Sequence, residues 1–137
     1  MSKKNILLEK ICCFILPYII LYALYIQING ETSPGGGFQS GVIFASAIIA
    51  INISYVKYNK YFSPDLLITL ATIGVMIYLT IGFISLIFND NYLNYYSLHQ
   101  DHHLAQKLGI FIIEVGVGIT VASVMILIYS LFQSKFR

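Results

Sequence analysis

A single acid, Glu114, stands inside the apolar run that extends over residues 108–132. A carboxylate placed in hydrocarbon costs at least about 2.5 kcal/mol on insertion scales, so such a group faces protein or water. There it can take up and release a proton or meet a cation. Gly118 and Ala122 follow Glu114 at four-residue intervals, which puts all three on one helix face. The acid therefore lies on a surface of small residues suited to helix packing. Two readings follow: a proton- or cation-responsive carboxylate lining part of an ion path, or a buried acid held by hydroxyls or by Lys107.

The second stretch with unusual chemistry is Ser33-Pro34-Gly35-Gly36-Gly37-Phe38-Gln39-Ser40-Gly41. Pro34 fixes its own φ and lacks an N–H, and three glycines follow it, so no plain helix runs through. Phe38 then opens a nearly unbroken apolar run. Gly35 and Gly37 begin like a dinucleotide fingerprint, but Ser40 occupies the third glycine's place and no strand precedes it. No Lys follows Gly41, so the phosphate-loop pattern fails as well. In a structural reading, Gly37, Gly41 and Ala45 form a small-residue ridge that lets another helix approach closely. In a functional one, the amino end of the helix presents unpaired N–H groups to an anion or carboxylate.

His99, His102 and His103, with Asp101 among them, could share one helix face and look ligand-like. One short loop supplies them all, and no Cys or Glu-x-x-His partner accompanies them. They read as histidines of a wet loop, and no metal site or other cofactor is expected. No pattern couples a serine or cysteine to a base, so the chain is not expected to be an enzyme. Cys12 and Cys13 are adjacent inside an apolar run and read as small, reduced filler.

The elements that must position these residues are membrane spans. The chain is 58% hydrophobic and 10% charged, against roughly 45–50% and about 25% in ordinary globular domains. Apolar blocks cover residues 11–28, 38–56, 66–88 and 108–132, each long enough to cross a bilayer. The expected fold is an all-α membrane protein, a single domain over 1–137 with four transmembrane helices. The basic start followed by an apolar run imitates a signal peptide, but no small-residue cleavage site follows, so it reads as a retained span. Pro17 lies inside the first span, where it is expected to kink the helix. Ser63, Pro64 and Asp65 carry the cap, first-turn proline and first-turn acid of the third. The polar segment 89–107, with Tyr92, Tyr95 and Tyr96, suits the headgroup level and a short interfacial helix.

Orientation follows from Lys3, Lys4, Lys10, Lys57, Lys60, Lys135 and Arg137 on one side against Lys107 on the other. The positive-inside rule makes both termini cytoplasmic. The glycine loop and the histidine loop then share the outer face, and the glycine loop and Glu114 are expected in the same half of the bundle. The net charge of +2, with its basic residues outside the spans, points to no nucleic acid.

Ser33 to Gln39, then Gly41-Val42-Ile43 and Ala45-Ser46-Ala47, resembles the signature of the MnhB/MrpB component of Mrp-type (Mnh-type) sodium/proton antiporters. A second stretch, Gly109-Ile110-Phe111 with Glu114-Val115-Gly116-Val117 and Thr120-Val121, is similar to that family's last span. The resemblance covers nearly the whole chain. It implies a small subunit of a multisubunit cation/proton antiporter in the bacterial cytoplasmic membrane. Its partners would be the other subunits and the lipid bilayer, and sodium ions and protons would be the species the complex moves. The large antiporter-like subunits of such complexes carry the main proton paths. The site residues it implies are Glu114 and the motif Ser33, Pro34, Gly35, Gly36, Gly37, Phe38, Gln39 and Gly41. His99, His102 and His103 match nothing in it. Two alternatives are a membrane subunit of a related hydrogenase or redox-driven ion-pumping complex and a small homodimeric transporter.

Overall fold

The computed structural model describes residues 3–30, 34–54, 62–87, 91–95 and 101–135. They form four helices: α1 (Lys3–Ile28), α2 (Gly37–Ser54), α3 (Pro64–Ile87) and α4 (His102–Lys135). All four are long and apolar enough to cross a membrane. Ser33 and His99 lie outside the described residues, as do Lys57 and Lys60 in the link from α2 to α3.

The helix starts follow from local chemistry. Ser63 Oγ accepts the N–H of Leu66 at 3.3 Å, with Pro64 and Asp65 in the first turn of α3. This is the expected cap with its first-turn proline. Asp101 caps α4 in the same way: its Oδ1 accepts the His103 N–H at 3.0 Å, and its carbonyl accepts Ala105 N–H at 2.9 Å. That cap starts α4 six residues before the expected position 108. The helix reaches 34 residues, about 51 Å at ~1.5 Å per residue, well beyond a hydrocarbon core of roughly 30 Å. α1 likewise begins at Lys3 rather than at residue 11, because the Leu, Lys and Glu of its first turns are good helix formers whatever their polarity. It continues unbroken through Pro17. Within segment 89–107, residues 91–94 make a turn with Leu93 at φ 64° and Tyr95 takes up a 3-10 conformation, while residues 96–100, over which the expected interfacial helix would extend, lie outside the described residues.

The helices lie in the spatial order α1–α2–α4–α3. α2 and α3 both pack on α4, α1 packs on α2, and α1 only brushes α4. Small residues set the registers. A methyl on Gly41 would lie 2.7 Å from the Gly118 carbonyl oxygen, and one on Gly37 would lie 2.8 Å from the Glu114 carbonyl carbon. Positions four apart on α2 thus meet positions four apart on α4, so the two helices run parallel. On the other flank, a methyl on Gly116 would lie 2.8 Å from Gly74 O, while Thr120 Oγ1 donates to Ala71 O at 3.3 Å. Rising along α4 means descending along α3, so that pair is antiparallel. Ala45, Leu67 and Ile126 form a core where α2, α3 and α4 converge. The outside is apolar, with Phe14, Leu21, Ile28, Met76, Ile87 and Phe132 all exposed. Such a surface suits lipid or other membrane helices rather than water.

Candidate functional site

Three glycines, one just after α1 and two at the start of α2, converge on one side chain of α4. A methyl on Gly36 would lie 2.7 Å from Glu114 Oε1. One on Gly30 would lie 2.7 Å from Glu114 Cδ and overlap Oε2, and one on Gly37 would overlap the Glu114 backbone carbonyl. The carboxylate therefore fills space that exists because these positions have no side chains. Gly36 also has a φ of 95°, a conformation that L-residues rarely adopt.

The electrostatics follow from where α2 begins. The N–H of Ser40 donates to Gly36 O at 3.1 Å, the first turn of the helix, which makes Gly36 the N-cap. An N-cap usually supplies a side-chain oxygen to the free N–H groups that follow, and glycine has none. The Glu114 carboxylate lies beside that cap, at the positive end of the α2 dipole. The group is partly buried. Such a carboxylate can exist charged against the helix end, or take a proton or a nearby cation.

The motif residues divide sharply. Gly36, Gly37 and Gly41 are buried at the α2–α4 contact, whereas Pro34, Phe38 and Gln39 are exposed. A methyl on Gly35 would lie 2.7 Å from Ile26 Cγ2, so this glycine tightens the α1–α2 turn instead of touching the acid. Ala45 continues the Gly37–Gly41 ridge into the core, and Gly118 of the Glu114 face meets Gly41. Packing and acid placement are thus properties of one ridge.

Sequence reasoning missed Gly30, Gln27 and Ser40. Ser40 Oγ meets Gln27 Oε1 and lies 2.9 Å from Gly37 O, and a methyl on Gly118 would lie 2.8 Å from Gln27 Oε1. Gln27 was the available signal, a polar residue at the end of an apolar run, but such residues are ordinary at a membrane surface.

The other loop closes the same end of α4. The Tyr92 ring covers Gly82 and meets Phe83 edge-on at 6.0 Å, and the Tyr95 ring covers Gly109. Ser85 Oγ donates to Asn94 O at 2.8 Å. Burial, followed by the neighbouring phenols of Tyr78 and Tyr92, pushes the Tyr95 hydroxyl above its ordinary pKa. His102 and His103 occupy the exposed first turn of α4. Among the described residues no group of three His, Cys, Asp or Glu could hold a metal ion.

A family model described as a domain related to the MnhB subunit of Na+/H+ antiporter matches residues 7–127. The chain belongs to the MnhB family. The B-type subunit of a Na+/H+ antiporter from Alkalihalophilus pseudofirmus is 24% identical over 132 residues, spanning 88% of this chain and 92% of the relative. Its counterpart from Bacillus subtilis is 26% identical over the same shares. A putative antiporter subunit mnhB2 from Staphylococcus aureus is 25% identical over 88% of this chain and 94% of its own length. This MnhB-family chain is a multi-pass bacterial membrane protein of the antiporter-subunit type, and the redox-complex alternative is not favoured.

Proposed function

We propose that the chain is the MnhB-type subunit of a multisubunit sodium/proton antiporter, a transport component rather than an enzyme, and that Glu114 lines part of its ion path. The carrying observation is the Glu114 carboxylate set against Gly30 and Gly36 at the amino end of α2. A purely structural acid would be an expensive way to fill that space, because a charge in the membrane interior costs at least about 2.5 kcal/mol. The N-cap position gives the ionised form a favourable electrostatic partner, which keeps a membrane carboxylate able to titrate or meet sodium. With the basic residues on the cytoplasmic side, this end of the bundle faces outward. The remaining partners are the other subunits, seated along the exposed apolar faces, and lipid.

The test is Glu114→Gln in the complete complex. Glutamine keeps the shape and hydrogen-bonding capacity and removes the titration. The expected outcome is a complex assembled in normal amount whose sodium-dependent proton flux, followed with a pH-sensitive dye in everted vesicles, falls by about tenfold or more. Unchanged flux across a pH series would leave Glu114 only a packing role.

A further inference from the structure

We infer that the exposed tyrosine face of α1 is the seat of a membrane helix from another subunit, one that offers small residues and hydrogen-bond acceptors at the depth of Tyr18 and Tyr22. The inference rests on the multisubunit part of the proposed function and is independent of the role of Glu114.

The first observation is where the rings lie. The aromatic residues of α1 are Phe14, Tyr18, Tyr22 and Tyr25. At about 100° per residue they all fall within an arc of about 80°. That arc points away from the bundle: Tyr18 is 61% exposed, Tyr22 57% and Tyr25 59%. The Phe14 and Tyr18 rings meet at 5.6 Å, so the aromatic surface continues from one turn to the next.

The second is depth. The apolar span of α1 is Ile6–Ile28. Tyr18 lies twelve residues from its start and ten from its end, about 18 Å and 15 Å at ~1.5 Å per residue. A tyrosine side chain is far shorter than either distance. Tyr22 lies six residues from Ile28, about 9 Å, and helical side chains lean toward the amino end, here away from the nearer surface. Tyr25 can reach the headgroup level, where tyrosine is at home. The Tyr18 and Tyr22 hydroxyls cannot. Among the described residues none bonds to them. A hydroxyl left without a partner in hydrocarbon is costly, and an acyl chain has no acceptor to offer.

The third is the contrast with α3, the helix at the other edge of the bundle. Its exposed hydroxyls are satisfied from within. Thr69, Thr72 and Thr80 donate to the carbonyls of Asp65, Ile68 and Met76 at 2.8, 2.9 and 2.7 Å. That face can meet lipid without loss, whereas the α1 face needs protein. A second copy of α1 does not serve. The one alanine of α1, Ala23, is buried on the side opposite Phe14, and the helix has no glycine or serine. Face to face, two copies would set ring against ring, while membrane helices associate where small residues let them approach. The occupant therefore brings the small residues itself, together with the acceptors for Tyr18 and Tyr22.

The experiment uses the complete antiporter complex in native membranes. Photo-reactive p-benzoylphenylalanine is placed in turn at position 18, at position 22 and, as the benchmark on α3, at position 76. The expected result at 18 and 22 is a covalent adduct with one other antiporter subunit. Mass spectrometry should map it to a membrane helix bearing Gly, Ala, Ser or Thr, in several-fold higher yield than any protein adduct from position 76. Should the probe at 18 prevent assembly, position 22 is read the same way. The paired variant Tyr18→Phe/Tyr22→Phe keeps both rings and removes both hydroxyls. The share of this chain retained in the complex on a detergent native gel should fall about sevenfold, the size of two average interhelical hydrogen bonds in a membrane. Adducts with lipid alone or with a second copy of this chain overturn the inference. So do adduct yields no higher than at position 76, and so does wild-type retention in the paired variant. In each of these cases copurifying antiporter subunits leave the multisubunit reading standing. Isolation of the chain with no antiporter subunit removes both.

Discussion

α4 is pressed on both flanks through glycines, and the two flanks use the same device differently. Against α2, the glycines lie opposite a carboxylate and its own carbonyl: Gly36 and Gly37 face Glu114, and Gly41 faces Gly118. Against α3, Gly74 and Gly116 meet backbone to backbone, and Thr120 Oγ1 links the pair by donating between Gly116 O at 2.9 Å and Ala71 O at 3.3 Å. The hydroxyl of the α3 seam is answered by neutral carbonyls of its own two helices. The α2 seam contains a charge-bearing group and a buried amide nitrogen with no partner among the described residues. Close approach supports both seams, but the α2 seam sets a carboxylate against a helix end. This difference predicts that damage to the α3 seam lowers the amount of complex, while subtler damage to the α2 seam lowers what each complex does.

The largest effect is expected at the point where acid placement and packing coincide. In Gly37→Leu, even the first added carbon overlaps the Glu114 carbonyl oxygen, and that atom belongs to the α4 backbone and cannot rotate away. The cost lies at or above the upper end of the ~1–3 kcal/mol typical of core overpacking. No assembled complex should appear on a native gel. A normal yield would mean that α2 and α4 are not held in this register.

Gly74→Val tests the opposite flank. A methyl there would lie 2.5 Å from Gly116 O and overlap Thr120 Oγ1, which can rotate. The yield of complex should fall several-fold, by about 1–2 kcal/mol of packing, while proton flux per assembled complex stays at the wild-type value. A drop in flux per complex would erase the distinction between the seams. Thr120→Val is the milder version. It removes a hydroxyl shared between two carbonyls, and interhelical hydrogen bonds in membranes average about 0.6 kcal/mol. A small fall in thermal midpoint in detergent is expected, with flux untouched.

The two seams were also unequally legible in the sequence. The ridge Gly37–Gly41–Ala45 and the face Glu114–Gly118–Ala122 could be read separately, because four-residue spacing defines a helix face without any partner. Their meeting rests on topology: two spans separated by one other run parallel, so the glycine loop and Glu114 fall at the same end. Gly30 and Gln27 were not legible. Nothing in α1 marks which of its faces turns toward α4, since its apolar residues are spread around the whole helix and both exposed and buried positions are hydrophobic. The α3 seam was hidden for the same reason. Gly74 is an isolated glycine in an uncharged stretch, and only its position opposite Gly116 gives it a role. The early start of α4 was missed because hydrophobicity locates the bilayer, not the helix, and the Asp101 cap lies outside the apolar run.

The smallest effect concerns the loop that closes the α3 seam, and it sharpens the comparison from the polar end. Tyr95 lies over Gly109, and burial, with Tyr78 and Tyr92 nearby, raises its pKa above the ordinary 10.0. A raised folded-state value means that the folded chain holds the phenol proton more tightly than the unfolded chain does. The resulting stabilisation is fully present below the unfolded value. It declines as pH rises past that value toward the folded one, because there the unfolded chain binds fewer protons than the folded chain. Tyr95→Phe has no such proton to lose. The difference in thermal midpoint between wild type and Tyr95→Phe should therefore be constant up to about pH 10 and shift in favour of the phenylalanine variant above it. A difference that stays flat through strongly alkaline pH would mean that the Tyr95 hydroxyl is as open to water as an ordinary surface phenol. The α3 seam would then be closed by ring packing over Gly109 alone.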